Sequence, residues 1–146
     1  MLQHVLERFT EEARSKPVEV KQSLPAEPLV VRASEDGLDS ILHNLIGNAI
    51  KYTPAGGFVR VECSSDGEDV VLRVADTGIG ISKEDLVHIG EEFFRAKNAY
   101  LQGFPGTGLG MSIVKQYVNR FDSQMSIESE AGKGSTFTIK LPLWRE

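Results

Sequence analysis

Two glycine-spaced loops stand about thirty residues apart, Asp76-Thr77-Gly78-Ile79-Gly80 and Gly106-Thr107-Gly108-Leu109-Gly110, downstream of a segment that repeats asparagine at Asn44 and Asn48. Glycine has no Cβ, so backbone can approach another group closely there or take left-handed angles. Either loop alone would suit a tight turn as well. Their order, and the paired amides ahead of them, describe a pocket built from three separated stretches of chain.

The periodicity around these loops predicts the elements that carry them. Leu2, Val5, Leu6, Phe9 and Ala13 share one stripe of an amphipathic helix over Leu2 to Lys16, which Pro17 ends. Val18 to Leu24 and Leu29 to Ala33 read as short β segments around Pro25 and Pro28. Ser34 then supplies the N-cap of a long helix to about Tyr52. That helix carries an apolar stripe of Leu38, Ile41, Leu42, Leu45 and Ala49, with Asn44, Asn48, Lys51 and Tyr52 aligned beside it at i, i+4, i+7 and i+8. Amides beside a core-facing stripe suggest a pocket wall.

Beyond the Pro54-Ala55-Gly56-Gly57 turn, alternation predicts strands near Phe58 to Ser64 and Asp69 to Ala75, joined as a hairpin at Asp66-Gly67. The second delivers Asp76 at its end. Ser82-Lys83-Glu84-Asp85 resembles a capping box and starts a short helix through about Ile89. From Glu91 to Pro105 no periodicity survives, and a loop of that length in a compact domain is functional or disordered. Gly108 leads into a helix through about Phe121. Strands near Gln124 to Glu130 and Ser135 to Leu141, joined by Ala131-Gly132-Lys133-Gly134, complete an α+β pattern.

Composition narrows the class. The 146 residues are 40% hydrophobic and 25% charged, enough for one domain with a substantial core. No apolar run approaches the roughly eighteen residues of a membrane span. The balance of 16 basic against 21 acidic residues gives −5, and no basic cluster interleaved with aromatics interrupts it, so no nucleic-acid partner is expected. The single Cys63 reads as a small buried apolar residue and has no internal disulfide partner.

The segment from Asn44 to Pro54 resembles the N box of sensor histidine kinases. Asp76-Thr77-Gly78-Ile79-Gly80-Ile81 is similar to their first glycine box, Phe93-Phe94-Arg95 to their phenylalanine box, and Gly106 to Gly110 to their second glycine box. Gly132 to Phe137 resembles the closing glycine and threonine segment. The resemblance runs from Val18 to Leu143. It implies the Bergerat ATP-binding fold: a two-layer α+β sandwich, with a mixed sheet of about five strands covered on one face by about three helices. On that reading residues 1–17 form a connector helix and residues 18–146 the ATP-binding catalytic domain.

The resemblance also implies roles. Asp76 accepts from the adenine amine, a hydrogen bond that guanine could not offer. Gly78, Gly80 and Ile81 flank the base, and Thr136 lies near it. Asn48 presents an amide oxygen to Mg²⁺ with Asn44 beside it. Lys51 contacts phosphate and Tyr52 packs near the nucleotide. Gly106, Thr107, Gly108, Leu109 and Gly110 offer amides at a helix end to the phosphates. Glu91 to Pro105 is the ATP lid, with Arg95, Lys97 and Gln102 as phosphate-contacting or lid-closing groups.

One position divides two chemistries. Hydrolytic members of the superfamily place a glutamate four residues before the Mg²⁺-binding asparagine, as a general base. Here that position is Asn44, an amide that takes no proton at neutral pH. His43 lies off the asparagine stripe. Phosphoryl transfer needs positioning and charge neutralisation instead, which favours a kinase. None of His4, His43 and His88 stands in a His-Glu-x-x-x-Pro segment, so the expected acceptor histidine belongs to dimerisation helices elsewhere, whose phosphoryl group passes to a response regulator. Two alternatives stay open: a non-catalytic nucleotide-binding module, and a serine kinase of the anti-sigma type. A monomeric fragment in the cytoplasm without direct membrane contact is expected. Gly90 departs from the family aromatic three residues before Phe93, and Phe121 to Gln124 lacks the usual turn glycines.

Overall fold

The computed structural model describes residues 2–92, 94 and 110–144. Among them the chain forms α1 (Leu2–Ser15), β1 (Glu19–Ser23), α2 (Glu35–Lys51), β2 (Phe58–Ser65), β3 (Asp69–Asp76), α3 (Lys83–Leu86), α4 (Gly110–Arg120), β4 (Gln124–Glu130) and β5 (Gly134–Pro142). The strands make one sheet in the order β1-β2-β3-β5-β4. β1 and β2 run parallel, and every other neighbouring pair is antiparallel. A parallel pair needs a crossover rather than a hairpin. α2 supplies it, which places the asparagine helix against the sheet by topology alone.

Side-chain alternation then decides which face the helices cover. Val59 and Val61 of β2, Leu72 and Val74 of β3, and Ile139 and Leu141 of β5 are all buried. Their neighbours on the opposite face include Arg60, Arg73 and Lys140, which are exposed. On the buried side α2 contributes Ile41, Leu42, Leu45, Ile46, Ala49 and Ile50, α4 contributes Val114 and Val118, and α1 contributes Val5, Leu6 and Ala13. The mixed five-stranded sheet with helices on one face is the α+β sandwich expected from sequence.

Three elements differ from expectation in extent. Leu29 to Ala33 does not form a strand; only Val31 bridges Leu143, because Pro28 offers no N–H and the segment meets the sheet at its margin. The helix after Ser82 ends at Leu86 and passes into turns in which His88 N and Ile89 N donate to the carbonyls of Asp85 and Leu86. Gly90, at φ +100°, lies beyond it. α4 begins at Gly110; its expected start at Gly108 and most of the expected lid lie outside the described residues.

Candidate functional site

At one end of the sheet the C-terminus of α2, the loop after β3, the turn between β4 and β5, and the N-terminus of α4 come together. Asp76 closes β3 opposite Val59 and Ser135, so register puts its carboxylate on the helix-covered face. Oδ1 accepts from Gly78 N at 2.9 Å and Ser135 N at 3.3 Å. Oδ2 has no hydrogen-bond partner among the described residues. Burial pushes the carboxyl above its usual range, and the two amide bonds oppose that rise without cancelling it.

The glycine loop is fastened on both sides. Ile79 N donates to Tyr52 O at 3.1 Å, and a Cβ at Gly78 would collide with that same carbonyl. On the other flank Gly132 N donates to Ile79 O at 2.7 Å, and Ile81 N donates to Ser129 Oγ at 2.8 Å. Gly80 takes φ +69° directly under the Glu130 carbonyl, where a side chain has neither the angle nor the room.

α2 forms the facing wall. Asn44 donates through Nδ2 to Ser40 O at 2.8 Å. Its Oδ1 therefore faces α4, and a Cβ at Gly110 would stand 2.8 Å from it and 3.7 Å from Asn48 Nδ2. The Asn48 amide makes no hydrogen bond with any described residue. Lys51 Nζ lies 4.9 Å from the Tyr52 ring centroid. α4 has no acidic residue in its first turn, so no carboxylate within that turn neutralises its positive N-terminal end. His43 instead meets Arg8 Nη1 at 3.0 Å and the Phe9 ring, on the α1 side of α2 and away from this wall.

The structure thus sets Asn44 and Asn48 against Gly110, Tyr52 against Gly78 and Ile79, and Asp76 against Gly78, with Lys51 beside Tyr52 and Gly80 and Ile81 held on the β4–β5 flank. Thr136 is not among them. It pairs with Ala75 and Glu128, one residue out of step with Asp76, and so occupies the opposite face of the sheet. Ser135 takes the place beside the carboxylate and bonds Ser129 Oγ at 2.7 Å. Arg95, Lys97, Gln102 and Gly106 to Leu109 lie outside the described residues.

Against known proteins, residues 33–145 match the family described as histidine kinase-, DNA gyrase B-, and HSP90-like ATPases. The chain belongs to this ATPase family. It is 42% identical over 128 residues to the histidine protein kinase DivJ of Caulobacter vibrioides, covering 86% of this chain and 21% of DivJ. With the sensor histidine kinase WalK of Bacillus subtilis it shares 35% over 144 residues, 97% of this chain and 23% of WalK. The mycobacterial sensor histidine kinase MprB superposes with a TM-score of 0.85 at 29% identity, covering 99% of this chain and 95% of that one. Full-length ShkA in complex with AMPPNP gives 0.83 at 30% identity, covering 99% of this chain and 30% of ShkA. The ATPase-family domain therefore spans about a fifth of DivJ and WalK. Among the described residues no helix is long and apolar enough to cross a membrane.

Proposed function

We propose that this domain binds ATP with Mg²⁺ and transfers the γ-phosphoryl group to a histidine on a separate dimerisation domain, releasing ADP. The observation that carries the reading is the α2 wall: Asn44 and Asn48 face the first residue of α4, and the position four residues before Asn48 holds an amide where a hydrolase would hold a carboxylate. Such a site can bind and orient a triphosphate, but that position lacks a base for activating water.

Asp76 Oδ2 is the acceptor for the adenine amine, while Oδ1 is already held by backbone. Gly78 and Gly80 keep side chains off the base. Gly110 and the preceding glycines present amides to the phosphates, with Lys51 as the cationic contact and Arg95 and Lys97 closing from the lid. Asn48, with Asn44 beside it, would hold Mg²⁺, which supplies charge neutralisation for the phosphates when bound. Residues 1–17 connect the domain to the dimerisation helices, the phosphohistidine then serves a response-regulator aspartate, and the reaction belongs in the cytoplasm, where ATP is.

The test uses γ-labelled ATP, Mg²⁺, this chain and a supplied histidine-kinase dimerisation domain. Label on that domain that acid removes is the expected result. Acid-stable label would mean a hydroxyl acceptor. Free phosphate without labelled protein would mean hydrolysis, and either of these outcomes rejects the assignment.

A further inference from the structure

Lys16 follows α1, yet its ammonium group reaches the far end of α2. Nζ donates to Ile50 O at 2.7 Å and also to Lys51 O. These are among the last carbonyls of α2, where the helix dipole is negative; Ile50 O also accepts from Thr53 N at 3.3 Å. Burial lowers the Lys16 pKa from its ordinary value, with Glu12 opposing, as befits an ammonium drawn partly out of water.

The backbone on either side of this contact is tied as well. Val18 N donates to Ala13 O at 2.6 Å, Gly56 N to Pro17 O at 2.9 Å, and Glu19 N to Gly57 O at 3.1 Å. The end of α1 is thereby fixed against the turn that follows α2. The other side of the same helical turn is the pocket: Tyr52 O receives Ile79 N, and the Lys51 side chain leaves from the carbonyl-bearing residue that Lys16 holds.

We propose that Lys16 is a positioning residue for the nucleotide site, clamping the last turn of α2 so that Lys51 and the Gly78-Ile79 loop stand in register with Asn48. It touches no substrate and acts only through α2. Together with the backbone ties, the clamp makes α1 mechanically continuous with the pocket, and the Lys16 side chain is the part of that coupling that reaches Lys51 directly. This proposal rests on the nucleotide reading of the pocket, and its test includes a part that uses no ligand.

Amide hydrogen exchange of the free protein, read residue by residue well below the melting point, compares wild type with Lys16→Met and Lys16→Arg. Loss of a charge-assisted hydrogen bond should speed exchange at Tyr52 and Ile79 by about tenfold while Ile139 and Leu141 stay unchanged, with Arg restoring protection. In calorimetry with MgATP, Lys16→Met should weaken binding by about tenfold, and Arg should recover most of it. Exchange that is unaltered, or that rises equally in β5, overturns the clamp, as does affinity within twofold of wild type. A wild-type chain that binds no nucleotide removes the pocket reading and the nucleotide half of this proposal together; the exchange pattern tells that failure from failure of the clamp.

Discussion

Asp76 sits where it weakens the fold it belongs to. Its carboxylate is partly buried, half satisfied through Oδ1, and its pKa is raised chiefly by desolvation. A carboxyl with a raised folded-state value contributes stability that is fully present below its unfolded value of about 3.9 and is lost as pH rises through the folded value. At neutral pH the charged form is therefore a cost to the empty domain. Asp76→Asn keeps an oxygen for Gly78 N and Ser135 N without the charge. The variant is expected to melt higher than wild type at pH 7, with a flatter stability profile between acid and neutral pH, and to lose ATP affinity by at least about a hundredfold. Thermal melts across pH, paired with calorimetry, check both halves, and equal melting at neutral pH would show the carboxylate to be well solvated. Gly80 is the opposite kind of residue: Gly80→Ala meets both the left-handed angle and the Glu130 carbonyl. A loss of about 2 kcal/mol or more in denaturant unfolding is expected.

Helix ends and strand edges show how much of this architecture the sequence carried. Ser34 reads as an N-cap, and its Oγ does accept Gly37 N at 3.1 Å; Ser34→Ala should cost about 1 kcal/mol in equilibrium unfolding. The other end of the helical layer was legible only in outline. α4 closes with Ser123 N donating to Val118 O at 2.9 Å across Asp122, which takes φ +52° without being glycine. Asp122→Gly should therefore raise stability by up to about 1 kcal/mol, and a loss would mean that the aspartate side chain supports the turn. Strands β2 and β3 could be read because Val59, Val61, Leu72 and Val74 alternate with exposed residues. The Leu29 to Ala33 segment has similar composition but meets only residues 142–144, where β5 is ending, and composition does not encode neighbours. Thr136 failed for a related reason: strand period fixes that alternate residues share a face, whereas only the pairing of Asp76 with Ser135 fixes which set it is. Gly90, read as a missing aromatic, takes φ +100°, a left-handed angle that opposes a side chain and is not visible in one sequence.

For the molecule as a whole, the question is where cooperativity stops. A sheet covered on one face needs its entire helical layer to exclude water, and α2 with α4 does not complete that layer. α1 fills the remainder, with Val5 fully buried, Leu6 and Ala13 nearly so, and Phe9 packed against the same core. The family resemblance implied that α1 is a connector, and the apolar stripe and Pro17 that mark it in the sequence are silent on what the stripe faces. A helix that belongs to the core transmits force to the α2 turn only if it melts with the sheet. Leu6→Ala leaves a cavity between α1 and α2 and should cost about 2–5 kcal/mol of global stability. Circular dichroism and Trp144 fluorescence are then expected to report one shared denaturant midpoint, shifted to lower concentration with an unchanged slope. An early loss of helical signal with the Trp144 transition left in place would instead make α1 an arm that detaches on its own. Displacing it would then leave the α2 turn behind, and the mechanical path from α1 to that turn would be broken.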